Sequence, residues 1–355
     1  MMQNSKLKEV SKAKHHILQE YFPPWVRILS STHQDLFYVD CFAGKGKYQG
    51  GELGSPLIIF QKARDITWNR PYHIHLIFVE KDKRRAEQLE QYLDNERSNP
   101  KLSYEVFSED SRNFTKGLLD AIHYHIPVFF FIDPYGYPIS IPIINKILQK
   151  KHAEVFLNLM WFQINRDINN PAATHLLDQM FEHSDWSKQS FLQKKGKERE
   201  EGFLEYFCSQ VHSKYHFHFR IRFDPKDRTP GGSKRTKYYL IHFCNHPKAV
   251  LLMKNVMWKL GDEEGTFDYS AKSQGVLFSS TPTEDQLIEY LKKNYSTKNK
   301  SIEFMQLRID TYQLPFLEKH YRGALKKMEA DGLINIERKV SIRSGIRDGD
   351  FINFN

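Results

Sequence analysis

The chain has 355 residues, of which 40% are hydrophobic and 14% aromatic, so it can form a packed core and disorder is not the default expectation. It contains no apolar run of about eighteen residues and its first residues are polar, so we expect a cytoplasmic protein without a membrane span. Three cysteines without CxxC spacing provide neither a disulfide framework nor a four-cysteine zinc site, and no metal site is predicted.

The positive charge is concentrated in one part of the sequence. The formal net charge is +9, and residues 186–237 contain 13 Lys or Arg against 6 Asp or Glu, a net +7. A basic segment of this kind suits a polyanionic partner, and nucleic acid is the partner that we expect.

The first 160 residues alternate between predicted helices and strands. A helix is predicted over residues 6–30, with an interruption at Pro23 and Pro24. Strands are predicted over residues 37–40, 75–80, 102–107, 128–133 and 155–160, and helices between them over 55–66, 83–95, 112–124 and 140–151. Apolar runs such as PVFFFID fit strands buried on both faces. Five successive strand–helix units predict a doubly wound, mostly parallel α/β sheet.

The pattern changes after the fifth strand. Residues 161–197 are interpreted as an irregular insertion with short helical pieces, and a helix is predicted over 198–215. Strands are predicted over 216–223 and 237–243, and the loop between them is too short for a parallel crossover, so they should form an antiparallel hairpin. A seven-stranded sheet with such a terminal hairpin is typical of Rossmann-like methyltransferases, whereas a nicotinamide dehydrogenase would end in a parallel strand.

The last part of the chain is predicted to be a separate module. A helix over 247–260 precedes a segment rich in Gly, Ser and Thr. Beyond it lie three predicted helices (283–294, 301–308 and 317–331) and two short strands (333–338 and 350–353), which together indicate an α+β winged helix. The predicted organisation is a methyltransferase-like domain over 1–262, a linker over 263–282 and a winged-helix domain over 283–355.

The first strand runs into a glycine-rich turn, YVDCFAGKGKYQGG. No glycine stands three residues after Gly46, so the dinucleotide pattern GxGxxG is not present. The order D-x-F-A-G-x-G favours S-adenosyl-L-methionine (SAM), because bare backbone at Gly44 and Gly46 lets the methionine part approach and Asp40 can attract its ammonium group. The predicted cofactor-binding residues of this segment are Asp40, Phe42, Ala43, Gly44, Gly46, Tyr48 and Ser55.

Two further acids extend the predicted cofactor site. Glu80 ends the second strand, where an acid can accept hydrogen bonds from ribose hydroxyls, and Asp110 follows the third, where it can accept from the adenine amino group. Acids at the carboxyl ends of consecutive strands fit a ligand of an open α/β sheet. The alternatives are that Glu80 is a solvated strand-end acid and that Glu109 takes the place of Asp110.

The fourth strand ends in the turn Asp133-Pro134-Tyr135-Gly136, which resembles the turn with which amino-methyltransferases hold an exocyclic base nitrogen. The carboxylate can accept from the amino group, while the aromatic ring stacks on an extruded base. The fourth-position glycine departs from the commoner DPPY and is closer to the DPFG of transfer-RNA guanine-N2 methyltransferases. The alternative is a structural turn that caps a buried strand.

Six basic residues are predicted to contact nucleic acid. Four belong to the hairpin around the Pro-Gly-Gly sequence, and two to the last helix of the tail, where winged helices place a helix in the major groove. These residues are Arg228, Lys234, Arg235, Lys237, Arg322 and Lys326. The alternatives are a solvated loop for the hairpin and protein contacts for the tail.

Over about residues 10–260 the chain resembles the three-Cys-motif partner (TcmP) proteins. The resemblance rests on Lys14-His15 in the first helix, on YVDCFAGKGKYQGGELGSPL, and on FVEKD, IDPYG, NLMWF and YYLIHFCNHPKA. It implies a methyltransferase-like fold, a bacterial source, pairing with a radical-type three-cysteine protein, and no settled substrate. It also implies that the GSP sequence at residues 54–56 is a family feature that contacts the ligand or the partner.

Three functions are compatible with these observations. The first is a SAM-dependent methyltransferase acting on an exocyclic amino group of a nucleic-acid base, in RNA or DNA. The second is a SAM-binding or vestigial methyltransferase-like adaptor that works with the three-cysteine protein. The third is a DNA-binding regulator that acts through the winged helix. A nuclease is disfavoured, because neither a PD-(D/E)xK nor an HNH arrangement occurs in the sequence.

Overall fold

The computed structural model describes residues 9–67, 70–96, 99–137, 139–223, 235–261, 283–295, 301–339 and 345–355. The chain divides into two compact units, Met1–Val256 and Met257–Asn355. The linker predicted over 263–282 lies outside the described residues.

The first unit alternates strands and helices. Its strands are β1 (Asp35–Asp40), β2 (His73–Val79), β3 (Leu102–Phe107), β4 (Val128–Ile132), β5 (Ala153–Leu159), β6 (Tyr215–Arg222) and β7 (Thr236–Cys244). Its helices are α1 (Glu9–Leu29), α2 (Ser55–Thr67), α3 (Lys83–Asp94), α4 (Ser111–Ala121), α5 (Ile141–Leu148), α6 (Trp161–Asp167), α7 (Thr174–Phe181), α8 (Gly196–Gln210) and α9 (Pro247–Leu260), the last of which extends into the second unit. None of the helices in the described part of the chain combines the length and apolarity that a membrane span requires.

The strands of the first unit form one seven-stranded sheet in the order β3-β2-β1-β4-β5-β7-β6. β1 pairs in parallel with β2 and β4, β2 with β3, and β4 with β5. β7 is antiparallel to both β5 and β6. The predicted doubly wound Rossmann-like methyltransferase sheet with an antiparallel terminal hairpin is therefore confirmed. The tip of the hairpin, residues 224–234, lies outside the described ranges.

The burial of each strand follows its place in the sheet. Every residue of β4 and β5, in the middle of the sheet, is buried, as expected for strands covered on both faces. At the edge, β6 alternates: Phe217, Phe219 and Ile221 are buried and the residues between them are partly exposed. This period of two indicates that β6 has one face in the core.

α1 runs through Pro23 and Pro24 without the interruption that the sequence predicted. A proline inside a helix removes a backbone hydrogen bond and costs about 3 kcal/mol or more. Tertiary contacts offset this cost. The Tyr21 hydroxyl and the Trp25 indole are buried and donate to the Glu154 carboxylate at 2.5 and 3.1 Å. Glu154 lies on β5, so both hydrogen bonds attach the helix to the sheet.

The helix predicted over residues 198–215 is shorter in the structure, where α8 ends at Gln210. Asn145 of α5 explains the early end. Its Nδ2 donates to the Gln210 carbonyl at 3.0 Å, and its Oδ1 accepts from the His212 amide at 2.7 Å. One side chain therefore satisfies backbone groups on both sides of the helix end, and the chain turns into β6.

The segment predicted as an irregular insertion, 161–197, contributes to the main core. It contains α6 and α7 and two short 3-10 turns. Trp161, Phe181, Trp186 and Phe191 of this segment are buried in the same cluster as the residues of β4 and β5. The polar residues of the segment concealed this apolar pattern in the sequence.

The second unit is a winged helix, as predicted. Its elements are α10 (Glu284–Tyr295), β8 (Ser301–Glu303), α11 (Phe304–Asp310), α12 (Glu318–Ala330), β9 (Ile334–Glu337) and β10 (Phe351–Phe354). The strands form a small antiparallel sheet in the order β8-β10-β9. The helix predicted over 301–308 begins only at Phe304, because the three residues before it pair with β10 and Ile302 is buried opposite Ile352.

Candidate active site

The carboxyl ends of β1 and β4 lie side by side at one edge of the large sheet. Asp40 is the last residue of β1, and Asp133 directly follows β4. Asp40 is paired with Phe131, two residues before Asp133. The strand order reverses between β1 and β4, and open α/β sheets bind ligands in the crevice at such a point. The glycine-rich loop after β1, predicted to bind the cofactor (the cofactor loop), and the turn at residues 133–136, predicted to hold the target amine (the acceptor turn), are therefore neighbours.

The carboxylate of Asp40 is fully buried and hydrogen-bonded at both oxygens. Oδ1 accepts from the Phe42 amide at 3.1 Å and Oδ2 from the Ser55 hydroxyl at 2.6 Å. Ser55 is the first residue of α2, so the start of that helix fixes the acid at the end of β1. Burial raises the pKa of Asp40 to about 7, although both hydrogen bonds lower it. A cation placed beside this carboxylate would favour its ionised form.

The glycine-rich loop has open backbone at Gly44 and packed backbone at Gly46. Their φ angles, 67° and 85°, lie in the region that glycine adopts without strain. At Gly44 no atom of the described residues lies within 4 Å of the position of a Cβ, so a ligand has space there. At Gly46 a Cβ would lie 3.0 Å from Leu89 and 3.3 Å from Leu57. The structure thus explains the glycine at position 46 by close packing of the loop on α2 and α3, and not by the predicted approach of the methionine part.

Phe42, Ala43 and Tyr48 complete the predicted cofactor loop. The Ala43 amide donates to the carbonyl of Val79 on β2 at 2.9 Å, which fixes the loop to the sheet. Phe42 packs against the core and is partly exposed. The ring of Tyr48 lies 6.0 Å from that of His15, centroid to centroid, and burial raises its pKa. α1 therefore closes the site on the side of this loop.

Glu80 and Asp110 follow β2 and β3 at the same edge of the sheet. Oε1 of Glu80 accepts from the Asp82 amide at 2.9 Å. Asp110 is the N-cap of α4 and accepts from the Arg112 amide at 3.1 Å and from Lys81 at 3.0 Å. Burial raises the pKa of Asp110, but the hydrogen bonds from Lys81 and from the Arg112 amide, with the charges of both residues, outweigh this effect and the pKa is lowered. Asp110 thus has a structural role that the sequence did not indicate.

The turn after β4 exposes its tyrosine. The Tyr135 side chain is 100% exposed, whereas Pro134 and Gly136 are buried. Gly136 has a φ of 111°, and a Cβ there would lie 3.1 Å from the Gln163 side chain of α6. The fourth-position glycine is therefore required by the backbone conformation and by the packing of α6. An exposed ring beside a carboxylate can stack on a planar ligand.

Two residues that the sequence indicated only as parts of family motifs hold the carboxylate of Asp133. Lys14 of α1 forms an ion pair with Oδ2, and Asn158 Nδ2 of β5 donates to Oδ1 at 2.7 Å. The side chains of Lys14 and Asp133 are only 13% and 14% exposed. Burial lowers the pKa of Lys14, but attraction to Asp133, with smaller effects from Tyr48 and Tyr135, outweighs it and the pKa is raised.

The sequence contained a signal for one of these residues. Asn158 is a polar residue inside the apolar run of a buried strand, and buried polar side chains are usually bonded to specific partners. Lys14 stood out only as part of a family motif. Its neighbour His15 is buried, and burial together with Lys14 lowers its pKa to about 3. His15 Nδ1 has no hydrogen-bond partner among the described residues.

A cationic and aromatic cluster lies at the start of the terminal hairpin. The guanidinium of Arg235 is 4.9 Å from the Phe162 ring centroid, and the Lys237 ammonium is 5.9 Å from that of Phe223. The rings of Phe162 and Phe223 pack edge to face at 4.8 Å. β6 is parallel to β5 and ends here, so the cluster lies at the same sheet edge as Asp133.

The other predicted nucleic-acid contacts differ in their surroundings. Arg228 and Lys234 lie outside the described residues. On α12, Arg322 is partly buried and forms an ion pair with Glu318, with Nη2 and Oε1 2.5 Å apart. Lys326 is exposed. Arg322 therefore has a partner within its own helix, which the sequence interpretation did not include.

Where β1 and β4 end, the site combines the carboxylates of Asp40 and Asp133 with the ammonium group of Lys14. Asp40 can stabilise a cationic ligand, Asp133 can accept from a hydrogen-bond donor, and Lys14 lies close enough to affect both. In the described ranges, no group of three or more His, Cys, Asp or Glu side chains is arranged to hold a metal ion.

Residues 262–341 match the family model described as "GMT-like wHTH domain". A search of curated proteins with the sequence finds no match. The resemblance to the three-Cys-motif partner family stays a prediction.

Similar solved structures include Trm1 from Pyrococcus horikoshii with SAM, at 9% identity and a TM-score of 0.34, covering 71% of this chain and 61% of that one. The chain thus spans less than two thirds of the length of that relative. Protein LPL1258 from Legionella pneumophila is 11% identical, with coverages of 71% and 93% and a TM-score of 0.40. An O-methyltransferase from Bacillus cereus in complex with SAH is 8% identical, with coverages of 67% and 84% and a TM-score of 0.35. At these TM-scores the strand order remains the basis of the fold assignment.

Proposed function

We propose that this protein is a SAM-dependent methyltransferase that acts on an exocyclic amino group of a nucleic-acid base, in RNA or DNA. The observation that supports this function most is the turn after β4. Asp133 lies beside the cofactor loop, with its carboxylate held in place by Asn158 and Lys14. The neighbouring Tyr135 ring is fully exposed and accessible to a base that binds at the carboxyl ends of the strands.

The residues at the end of β1 fit SAM. An ammonium group beside the buried Asp40 would keep that carboxylate ionised. The open space over Gly44 has room for the methionine part, and Glu80 lies one strand further along for the ribose hydroxyls. When bound, SAM supplies an electrophilic methyl group on its sulfonium.

The residues after β4 would hold and orient the acceptor. Asp133 accepts hydrogen bonds from the amino group and thereby aims the nitrogen lone pair toward the cofactor. The carboxylate also stabilises the positive charge that grows on the nitrogen during attack, and Asn158 keeps it preorganised for this role. The exposed ring of Tyr135 stacks on the base after the base has been flipped out of the nucleic acid.

Nucleic acid is the proposed macromolecular partner. The net charge is +9, the basic cluster of Arg235 and Lys237 lies at the same edge as the acceptor turn, and the chain contains a winged helix. We place the catalytic domain at residues 1–262, the linker at 263–282 and the winged-helix domain at 283–355, in a cytoplasmic bacterial protein of the TcmP kind.

A SAM-binding adaptor for a three-cysteine protein is the second candidate. It is favoured by one observation: both oxygens of Asp133 already have partners within the chain, Asn158 and Lys14. In such a protein the site would bind the cofactor without presenting an acceptor carboxylate to a substrate.

Transfer of tritium from labelled SAM tests the proposal and separates the two candidates. The substrate would be total RNA and total DNA from a host that lacks the gene. Label in one nucleic-acid pool with the wild type, and none with Asp133→Ala, is the expected result. Label in protein alone would contradict the nucleic-acid substrate. SAM binding without transfer to any pool would support the adaptor.

A further inference from the structure

Lys14 occupies a hydrogen-bond acceptor position on Asp133 that a target amine could use. Its ammonium group is an amine of the chain itself, and it is bonded to Oδ2 of Asp133 while Asn158 is bonded to Oδ1. Both groups of the ion pair are mostly shielded from solvent. A substrate amine would therefore have to share an oxygen of Asp133 with Lys14 or Asn158, or replace Lys14 on Oδ2.

Lys14 also brings a positive charge close to the cofactor end of the site. Its ammonium group is bonded to Asp133, and its charge also lowers the pKa of Asp40 and of Tyr48, so Lys14 lies near the end of β1 as well as the turn after β4. An amino-acid group bound at this point has a positive ammonium and a negative carboxylate. Asp40 is suited to the ammonium, and Lys14 is the adjacent group whose charge suits the carboxylate.

We propose that Lys14 has two competing partners, Asp133 and the carboxylate of the cofactor, so that cofactor binding frees Asp133 for the target amine. This inference rests on the proposed function. A lysine side chain has a flexible four-carbon stem and a compact charge, so a change of partner needs no movement of α1. Lys14 is then a positioning residue. Its change of partner couples cofactor binding at the end of β1 to amine binding at Asp133.

The coupling has a definite sign. A cofactor that draws Lys14 away makes Asp133 a better acceptor, so cofactor and amine bind with positive cooperativity and the cofactor favours binding first. By linkage, any change that stops Asp133 from competing for Lys14 must strengthen the bond between Lys14 and the carboxylate of the cofactor. Removal of the Asp133 charge should therefore increase the preference for a ligand that has a carboxylate.

The test compares SAM with decarboxylated SAM, which keeps the sulfonium and the ammonium but lacks the carboxylate. Titration calorimetry on the full chain gives both dissociation constants, and their ratio cancels effects that do not involve the carboxylate. The wild type should prefer SAM by about tenfold, the size of one charge-assisted hydrogen bond. Lys14→Met should bring the ratio close to one, and Lys14→Gln should do the same.

Asp133→Asn supplies the second arm of the test. It should raise the preference for SAM by about threefold or more over the wild type. The double variant with Lys14→Met should show a ratio near one, because the effect of Asp133 acts through Lys14. His16→Gln is the matched control, since His16 is exposed on the same helix, and it should keep the wild-type ratio. Circular dichroism confirms that each variant is folded.

The outcomes separate this inference from the proposed function. A wild type that binds SAM and decarboxylated SAM equally, or a Lys14→Met variant with the wild-type ratio, would overturn the role of Lys14 and leave the methyltransferase proposal standing. An Asp133→Asn ratio no higher than that of the wild type would overturn the competition. A wild type that binds neither ligand would refute the proposed function itself, and this inference with it.

Discussion

Ser55 and Asp40 connect the start of α2 to the end of β1 through a hydrogen bond of 2.6 Å between the serine hydroxyl and Oδ2. The bond favours the ionised carboxylate, while burial favours the protonated form more strongly, and the pKa of Asp40 rises to about 7. The carboxylate at the centre of the cofactor site therefore titrates close to neutral pH, and two measurable consequences follow for stability.

Asp40→Asn should change how stability depends on pH. The pKa of about 7 in the folded state lies above the value of about 3.9 in the unfolded chain. The folded protein binds more protons between these values, so the contribution of Asp40 is fully present below about pH 4 and is lost as pH rises through 7. The variant should lack this loss, which amounts to about 4 kcal/mol at most. Ser55→Ala should move the loss to higher pH.

Urea unfolding of wild type and both variants between pH 4 and pH 8 measures the effect. The free energy of unfolding of the wild type should fall relative to that of Asp40→Asn as pH rises across this window. A constant difference would show that Asp40 does not titrate there.

Gly44→Val should abolish SAM binding, and Gly51→Val should not. Both glycines have positive φ, 67° and 85°, and neither has an atom of the described residues within 4 Å of its Cβ position. The two substitutions therefore impose similar backbone strain, about 1–2 kcal/mol, and differ in whether the added side chain fills the proposed ligand space. Calorimetry with SAM compares them, and Glu80→Ala should weaken binding as well. Equal SAM affinity in the two valine variants would remove Gly44 from the site.

Asp133→Ala should lose methyl transfer by about a hundredfold or more while still binding SAM, because it removes one preorganised electrostatic contact to the acceptor. Tyr135→Ala should also be severe, through lost stacking of about 1–3 kcal/mol, and Tyr135→Phe should be mild. Tyr124 is another exposed tyrosine, 52% accessible, and Tyr124→Ala is the control that should keep full activity. Tritium transfer measures all four. Wild-type rates in Asp133→Ala would mean that the turn is structural.

Charge reversal at Lys234, Arg235 and Lys237 should weaken binding to nucleic acid. Each phosphate contact that is lost should also flatten the dependence of log affinity on log salt by about one unit of slope. Fluorescence anisotropy with labelled RNA and DNA at several salt concentrations measures both quantities.

The matched control reverses three exposed lysines of the same basic segment, Lys194, Lys195 and Lys197. It makes the same change in net charge at a different place. If both triple variants lose affinity and slope equally, the hairpin contributes only to the overall charge and makes no specific contact.

Glu154→Ala should destabilise the first unit by about 3 kcal/mol or more, because it leaves several buried polar groups without their acceptor. Tyr21 and Trp25 donate to its carboxylate, and His242 Nε2 lies 2.8 Å from its Oε2. Tyr21→Phe removes one of these bonds and should cost about 1 kcal/mol. Urea unfolding gives both values. A loss below about 1 kcal/mol for Glu154→Ala would show that α1 is held mainly by apolar packing.

The fold of the first unit was predictable because its signals are local. Apolar runs such as VFFFI of β4 mark buried strands. The loop between the last two strands of the unit is too short for a parallel crossover, which required an antiparallel pair. The neighbouring positions of Asp40 and Asp133 were predictable for the same reason, since each lies at the carboxyl end of a strand.

The residues that escaped prediction depend on contacts between distant segments. Lys14 reaches Asp133 only because α1 docks against the sheet, and a polar helix position gives no sign of its partner. The continuity of α1 through Pro23 was hidden in the same way, since local propensity predicts a break and the compensating bonds to Glu154 come from far along the chain. Tertiary contacts overrode the local pattern in both cases.

The attachment of α1 also determines when the site can assemble. Tyr21 and its acceptor Glu154 are 133 positions apart, and Glu154 is in turn 88 positions from His242. Because the ribosome releases the N-terminus first, α1 emerges long before its docking partners and gains the last of them only when β7 has left the exit tunnel. A nascent chain that stops before β5 would therefore lack Glu154 and present the apolar face of α1 to chaperones.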